Sequence, residues 1–213
     1  MTDVVIFGGH GKVALLLEPL LAARGDAVRA VIRNPDHADD VQAAGAEPVV
    51  ADVERLDTAA LADLLRGAGA VVWSAGAGGG SSERTYAVDR DAAIRAIDAA
   101  TQAGVDRFVM VSYLGAGPDH GVPAESSFFA YAEAKAAADA HLRGSSLAWT
   151  IVAPGTLTLG PATGAIDVRS TGSGSVPRAD VAAVVAAVLA RPQTAGRTVG
   201  FISGGTPIDT ALS

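Results

Sequence analysis

The chain has 213 residues, 49% of them apolar and 18% charged, with a formal net charge of −7 and no cysteine. That length and apolar share suit one α/β domain with a large core, over residues 1–213. The acidic balance speaks against a general nucleic-acid-binding surface, and the lack of thiols excludes disulfides and thiolate metal sites. No apolar run approaches the roughly 20 residues of a membrane span. The chain enters a core strand at once, so a soluble cytoplasmic protein without a signal peptide is expected.

The first predicted strand, Val4–Phe7, runs into Gly8, Gly9 and Gly11, and a helix follows from Lys12 to about Arg24 through Leu15, Leu16, Leu17 and Leu20. Strand, glycine turn and helix form the local design that holds a dinucleotide pyrophosphate. Glycines allow close backbone approach, and the first N–H groups of the helix lack internal partners. Gly8, Gly9, His10, Gly11, Lys12 and Val13 are therefore candidate cofactor contacts, although such a turn also serves as a plain tight connection.

Val28–Ile32 is the second strand and ends in V-I-R-N-P. In a dinucleotide fold this end lies beside the adenosine ribose, where an acid favours NAD and an arginine favours NADP. Arg33 therefore points to NADP over NAD, the alternative being a solvated charge. A short helix is predicted from Pro35 to Ala44, then a strand at Pro48–Ala51 ending in V-V-A-D-V. Asp52 and Val53 are candidates for adenine, with a helix-capping or turn role for Asp52 as the alternative. Asp57 reads as an N-cap for the next helix.

The fourth strand, Ala70–Ser74, leads into Ala75, Gly76 and Ala77, small residues against which ribose and phosphates could lie. The run of Gly78, Gly79 and Gly80 in the sequence suggests mobility beyond what one static cofactor contact needs. A long helix is expected from Thr85 to Ala103, then a fifth strand at Arg107–Ser112, a helix at Phe129–Arg143 and a sixth strand at Ala148–Val152. A last helix at Arg178–Ala190, with Asp180 near its start, and a strand at Val199–Ile202 complete the pattern. Repeated βα units predict a Rossmann fold: a doubly wound parallel sheet of about seven strands with helices on both faces. Two loops rich in Gly, Pro and small polar residues, about 113–130 and 154–177, follow strands at the carboxyl edge. They are candidate substrate lids, or plain surface loops.

Tyr131 and Lys135 form Y-x-x-x-K on one face of a predicted helix, and Ser112 ends the strand before it. Hydride transfer needs a proton-exchanging group, a cation that lowers its pKa and a hydroxyl that orients the substrate. Tyr131, Lys135 and Ser112 can fill those roles in that order. Lys135 could also bond the ribose of the nicotinamide half.

The chain resembles the atypical short-chain dehydrogenase/reductase family, and within it small NAD(P)-binding proteins labelled NAD-dependent epimerases or dehydratases. The carriers are F-G-G-H-G-K-V-A, V-I-R-N-P-D-H, V-V-A-D-V, Y-A-V-D-R-D-A, A-G-V-D-R-F-V-M-V-S-Y, Y-A-E-A-K and W-T-I-V-A-P-G. The resemblance implies NADP at the glycine turn and a reductase triad of Ser112, Tyr131 and Lys135. It also places Pro154 and Gly155 beside the nicotinamide. Asp89 stands where the wider family carries an active-site Asn, His10 where Thr or Ser is common, and Ala153 where an Arg is common. The last departure weakens any claim for recognition of an acidic or phosphorylated substrate.

His10, His37, His120 and His141 show no metal-ligand spacing, so no metal is expected. There is neither a G-x-S-x-G elbow nor a triphosphate P-loop. His120 is an outlying candidate for substrate contact. Two classes of function stand side by side. One is an NADP-dependent oxidoreductase acting on a small carbonyl, alcohol or quinone-like compound, with epimerase or dehydratase chemistry on a sugar nucleotide as a variant. The other is a non-catalytic NADP-binding redox sensor. The expected partner is a small-molecule substrate, on a monomer or a homodimer, without nucleic acid or membrane.

Overall fold

A computed structural model describes residues 2–79, 81–168 and 173–213. Its sheet is built on seven parallel strands: β1 (Asp3–Phe7), β2 (Ala27–Ile32), β3 (Glu47–Val50), β4 (Ala70–Trp73), β5 (Arg107–Val111), β6 (Ala148–Pro154) and, last of the seven in sequence, Arg197–Ser203. These runs are rich in Val, Ile and Phe, which fit a pleat buried on both faces. Within β1, Val4 and Ile6 pack into one core layer while Val5 and Phe7 pack into the other, as the two-residue period of a strand requires.

Helices cover both faces. α1 (Ala14–Ala23) lies on one side, and α2 (Ala38–Ala43) follows β2. The opposite layer includes α3 (Thr58–Leu64), which Asp57 caps by accepting the Ala60 N–H at 2.8 Å. Past α4 (Ser82–Thr85), the long helix widens into a π-helical turn over Tyr86–Ala92 before α5 (Ala93–Gln102). α6 (Phe129–Arg143) precedes β6.

Between β6 and the last parallel strand come β7 (Thr156–Thr158), β8 (Ala165–Asp167), β9 (Ser175–Pro177) and α7 (Arg178–Leu189), the helix that packs against α1. The last parallel strand is thus β10, followed by β11 (Thr206–Pro207) and α8 (Ile208–Ala211). The sheet order is β11-β8-β10-β6-β5-β4-β1-β2-β3, nine strands rather than seven. The two additions, β8 and β11, are antiparallel segments of three and two residues at one edge. They are too short to show an alternating pattern. β7 and β9 pair separately.

The first helix buries one face of a run that is apolar nearly all round. It buries Ala14, Leu17, Glu18 and Leu21, while Leu16 and Leu20 are exposed. The segment A-L-L-L-E-P-L-L-A-A is apolar nearly all round, so its composition cannot select a face. Among the described residues, no helix is long and apolar enough to cross a membrane.

Candidate functional site

Gly8 leaves β1 with φ +81°, and a Cβ there would stand 2.6 Å from the Ala75 Cα. Only glycine fits both the conformation and the approach. The glycine amides, however, are already used. Gly8 and Gly9 donate to the Val31 carbonyl at 3.2 and 2.9 Å, and Gly11 donates to the Gly8 carbonyl at 2.8 Å. Among the described residues, the amides of the turn left without an acceptor are those of His10, Lys12 and Val13. They precede α1 at the positive end of its dipole. The turn therefore fits an anionic pyrophosphate, with the glycines shaping the cradle and their neighbours supplying donors. Lys12 is exposed and has no ion-pair partner among the described residues.

A cleft of about 260 Å³ opens beside this turn, bordered by Gly8, His10, Gly11, Arg33, Asp52 and Val53, and reaching Ala75 and Gly76. At its mouth Arg33 Nη1 donates to Glu54 Oε1 at 3.1 Å. Arg84 reaches the same oxygen at 3.2 Å and donates from Nη1 to the Ala77 carbonyl at 2.7 Å. One carboxylate is shared by two guanidiniums, which leaves net positive charge there. Asp52 Oδ1 accepts the Glu54 N–H at 3.1 Å, so it forms an Asx turn in addition to lining the cleft. The His10 ring stacks on His37 with centroids 3.6 Å apart and bonds Asp40 at 2.8 Å. Gly78 and Gly79 both have positive φ; Gly80 lies outside the described residues.

The catalytic candidates come together at the other end of the carboxyl edge. Ser112 continues β5, its N–H donating to the Val152 carbonyl at 2.8 Å. Ser112 and Tyr131 line one pocket of about 740 Å³, with Tyr113, Phe128, Pro154 and Gly155. Beneath it Lys135 is 1% exposed; its Nζ donates to the Val111 carbonyl at 2.8 Å and contacts Met110 Sδ at 3.4 Å. Asp89, in the π-helical turn, accepts the Ala77 N–H at 2.9 Å. Its Oδ1 would stand 2.9 Å from a Cβ at position 76, which explains the glycine there.

Lys135 is not among the influences that dominate the Tyr131 phenol. Burial first, then the charges of Asp89 and Asp139, push the Tyr131 phenol well above the ordinary tyrosine range. Burial also lowers the Lys135 ammonium, opposed by the same two carboxylates. Desolvation raises both Asp89 and Asp139. Lys135 thus mainly offsets carboxylate charge, and Tyr131 is held as the neutral phenol.

Asp139, Glu54 and Arg84 were missed by sequence reasoning. The Ser112 hydroxyl donates to Asp139 Oδ2 at 2.6 Å, and Asp139 is fully buried. The signal was available: Tyr131, Lys135 and Asp139 are spaced by four along one helix face. Glu54 and Arg84 gave no such signal, because separate segments bring them together.

The two loops are each tied to a following helix. In the first, Tyr113, Leu114 and Gly115 line the pocket. His120 instead pins its loop: the ring bonds Glu133 at 3.0 Å and accepts the Val122 N–H at 3.0 Å. In the second, buried Asp180 accepts the Thr163 and Gly164 N–H groups at 2.8–3.0 Å, tying the loop to α7. Residues 169–172 of that loop lie outside the described residues. Among the described residues no cluster of His, Asp and Glu could hold a metal.

Comparison with known proteins bears on the family and the fold. A family model described as NAD(P)H-binding matches residues 8–192. A Bacillus subtilis protein named uncharacterized sugar epimerase YhfK is 35% identical over 98% of this chain and 98% of its own. A solved Bacillus halodurans structure labelled as a NAD-dependent epimerase/dehydratase is 33% identical. It covers 100% of this chain and 99% of its own, at a TM-score of 0.92. The Lactococcus lactis oxidoreductase ylbE is 29% identical over 99% of this chain and 94% of its own, at a TM-score of 0.87. The chain thus belongs to the NAD(P)H-binding family whose model it matches.

Proposed function

We propose that the protein is an NADP-dependent oxidoreductase that reduces a small carbonyl or quinone-like compound, or oxidises the matching alcohol. The observation that carries this reading is the placement of Ser112 and Tyr131 in one pocket of about 740 Å³, with Lys135 buried one helical turn from Tyr131. The cofactor would lie along the carboxyl edge, with its pyrophosphate on the amides of His10, Lys12 and Val13 and its 2′-phosphate at Arg33. Asp52 and Val53 would border adenine, and Ala75, Gly76 and Ala77 the central backbone. Pro154 and Gly155 would flank the nicotinamide.

When bound, a reduced nicotinamide would be the source of the hydride for the carbonyl carbon. Tyr131 Oη–H hydrogen-bonds the carbonyl oxygen and gives it a proton, so hydride and proton together make the alcohol. Its raised pKa keeps this proton in place at neutral pH. Ser112 has a single hydroxyl proton, held by Asp139. Its oxygen can then only accept from the substrate, which favours compounds with a donor near the reacting oxygen. Lys135 keeps the Asp89 and Asp139 charges from accumulating beneath the pocket. NADPH oxidation across carbonyl and quinone compounds is the test. Turnover should fall at least about a hundredfold in Tyr131→Phe, the contribution expected of a general acid, while NADPH binding persists. Absence of calorimetric binding for NADPH and NADH alike would refute the reading.

A non-catalytic NADP-binding redox sensor is the second reading. It is favoured by the hold of the Val111 carbonyl on Lys135 in place of any bond to Tyr131. It predicts tight coenzyme binding without turnover on any compound.

A further inference from the structure

The pocket beside Ser112 has one strongly charged wall that the reaction does not use. Arg178, half-buried, is the first residue of α7 and lines this pocket. A guanidinium carries five N–H donors. Among the described residues only one is taken, by the Leu157 carbonyl at 3.2 Å, and no carboxylate lies within 4 Å. The nearby Asp180 carboxylate faces Thr163 and Gly164 instead. A cation at the first position of a helix also opposes the helix dipole, so an anion in the pocket would offset both costs.

The facing wall is aromatic. Tyr113, Phe128 and Tyr131 contact one another with ring centroids 5.1–5.6 Å apart. Leu114 and Leu157 extend this apolar lining.

We propose that Arg178 anchors a carboxylate on the substrate, and that the pocket selects a flat, conjugated carbonyl compound bearing that anion. This rests on the oxidoreductase reading and gives its substrate class. The planar fork of Arg178 matches a carboxylate with two parallel N–H donors, and the aromatic wall takes the flat body. Ala153 weakened the claim for an acidic substrate from β6. Arg178 supplies the cation from another element, so that argument lapses.

The test uses 2-naphthoate and its neutral counterpart 2-naphthamide as probes, titrated into the full chain with and without saturating NADP. Naphthoate should bind about tenfold or more tighter than naphthamide, as expected for a charge-assisted, two-bond contact. Raising the salt concentration should weaken naphthoate alone. Arg178→Gln should close the gap while leaving naphthamide unchanged, and Arg178→Lys should keep part of it. Equal affinities in the native chain, a gap that survives in Arg178→Gln, or no binding of either probe at millimolar concentration would overturn the proposal. If Arg178→Gln does not fold, the native comparison, its salt dependence and Arg178→Lys decide the matter. Failure of NADP to bind would sink the oxidoreductase reading. The naphthoate gap in coenzyme-free protein would still judge Arg178.

Discussion

Two charge clusters flank the carboxyl edge of the sheet, and they mirror each other. At the mouth of the cofactor cleft, Glu54 stands between two cations, Arg33 and Arg84. Beneath the substrate pocket, Lys135 stands within electrostatic reach of two carboxylates, Asp89 and Asp139. The first cluster is wet: the Arg33 side chain is 58% exposed. The second is dry, with Asp89, Lys135 and Asp139 each at most 2% exposed. Exposed pairs are worth at most about 1 kcal/mol, whereas uncovering a buried charge costs several times more. The wet cluster can therefore exchange partners with a ligand at little cost. The dry one holds its members in place.

The sharpest way to break this contrast is Lys135→Met, which leaves two buried carboxylates without their cation. We expect a loss of about 3–5 kcal/mol in denaturant unfolding at pH 7. Part should return in more acid solution, because both carboxyl groups are already raised and protonate readily. A loss under about 1 kcal/mol would mean that the cluster is hydrated after all.

Glu18 is the limiting case, a fully buried carboxyl with no hydrogen-bond partner among the described residues. Burial pushes it up to about 8 from 4.5. The folded chain then binds more protons than the unfolded chain between those values, so stability is full below about 4.5 and falls as pH rises toward about 8. Glu18→Gln should flatten that slope and stabilise the protein at pH 8 by on the order of 3 kcal/mol. A melting profile whose pH dependence is the same in both proteins would contradict this.

The smallest effect concerns the wet cluster. Arg33→Ala should change stability by less than about 0.5 kcal/mol while weakening NADP about tenfold relative to NAD. Glu54→Gln should do the opposite for NADP, by removing the competing carboxylate from Arg33. Competitive titration of both coenzymes checks the pair, and equal losses for NADP and NAD in Arg33→Ala would remove the NADP assignment.

Much of the frame was legible in the sequence because buried parallel strands write themselves as short β-branched runs. Val28–Ile32 and Arg107–Val111 are clear instances. Where the pattern carried no face, as in α1, burial fell on Glu18 instead of Leu16 and Leu20. The candidate site was legible where spacing encodes a shared helix face, as for Tyr131 and Lys135. Proton chemistry was not legible. The phenol's upward shift arises from burial and from Asp89, which enters from another helix. The availability of the His10, Lys12 and Val13 amides followed only once Val31 was seen to occupy those of Gly8 and Gly9.

The π-helical turn over Tyr86–Ala92 has a consequence for how this chain tolerates length change. One residue of an α-helix corresponds to about 100° of rotation. Deleting a single residue there would restore regular winding and leave α5 facing the core as before, because the wide turn is what absorbs the extra residue. Were the same residues wound as a regular α-helix instead, Ala96, Ile97 and Ala100 would turn out of the core, and Arg95, which now donates to the Val53 and Leu56 carbonyls, would lose both acceptors. The wide turn is thus a phase correction that lets one continuous helix serve two masters, the site at its start and the core along its length.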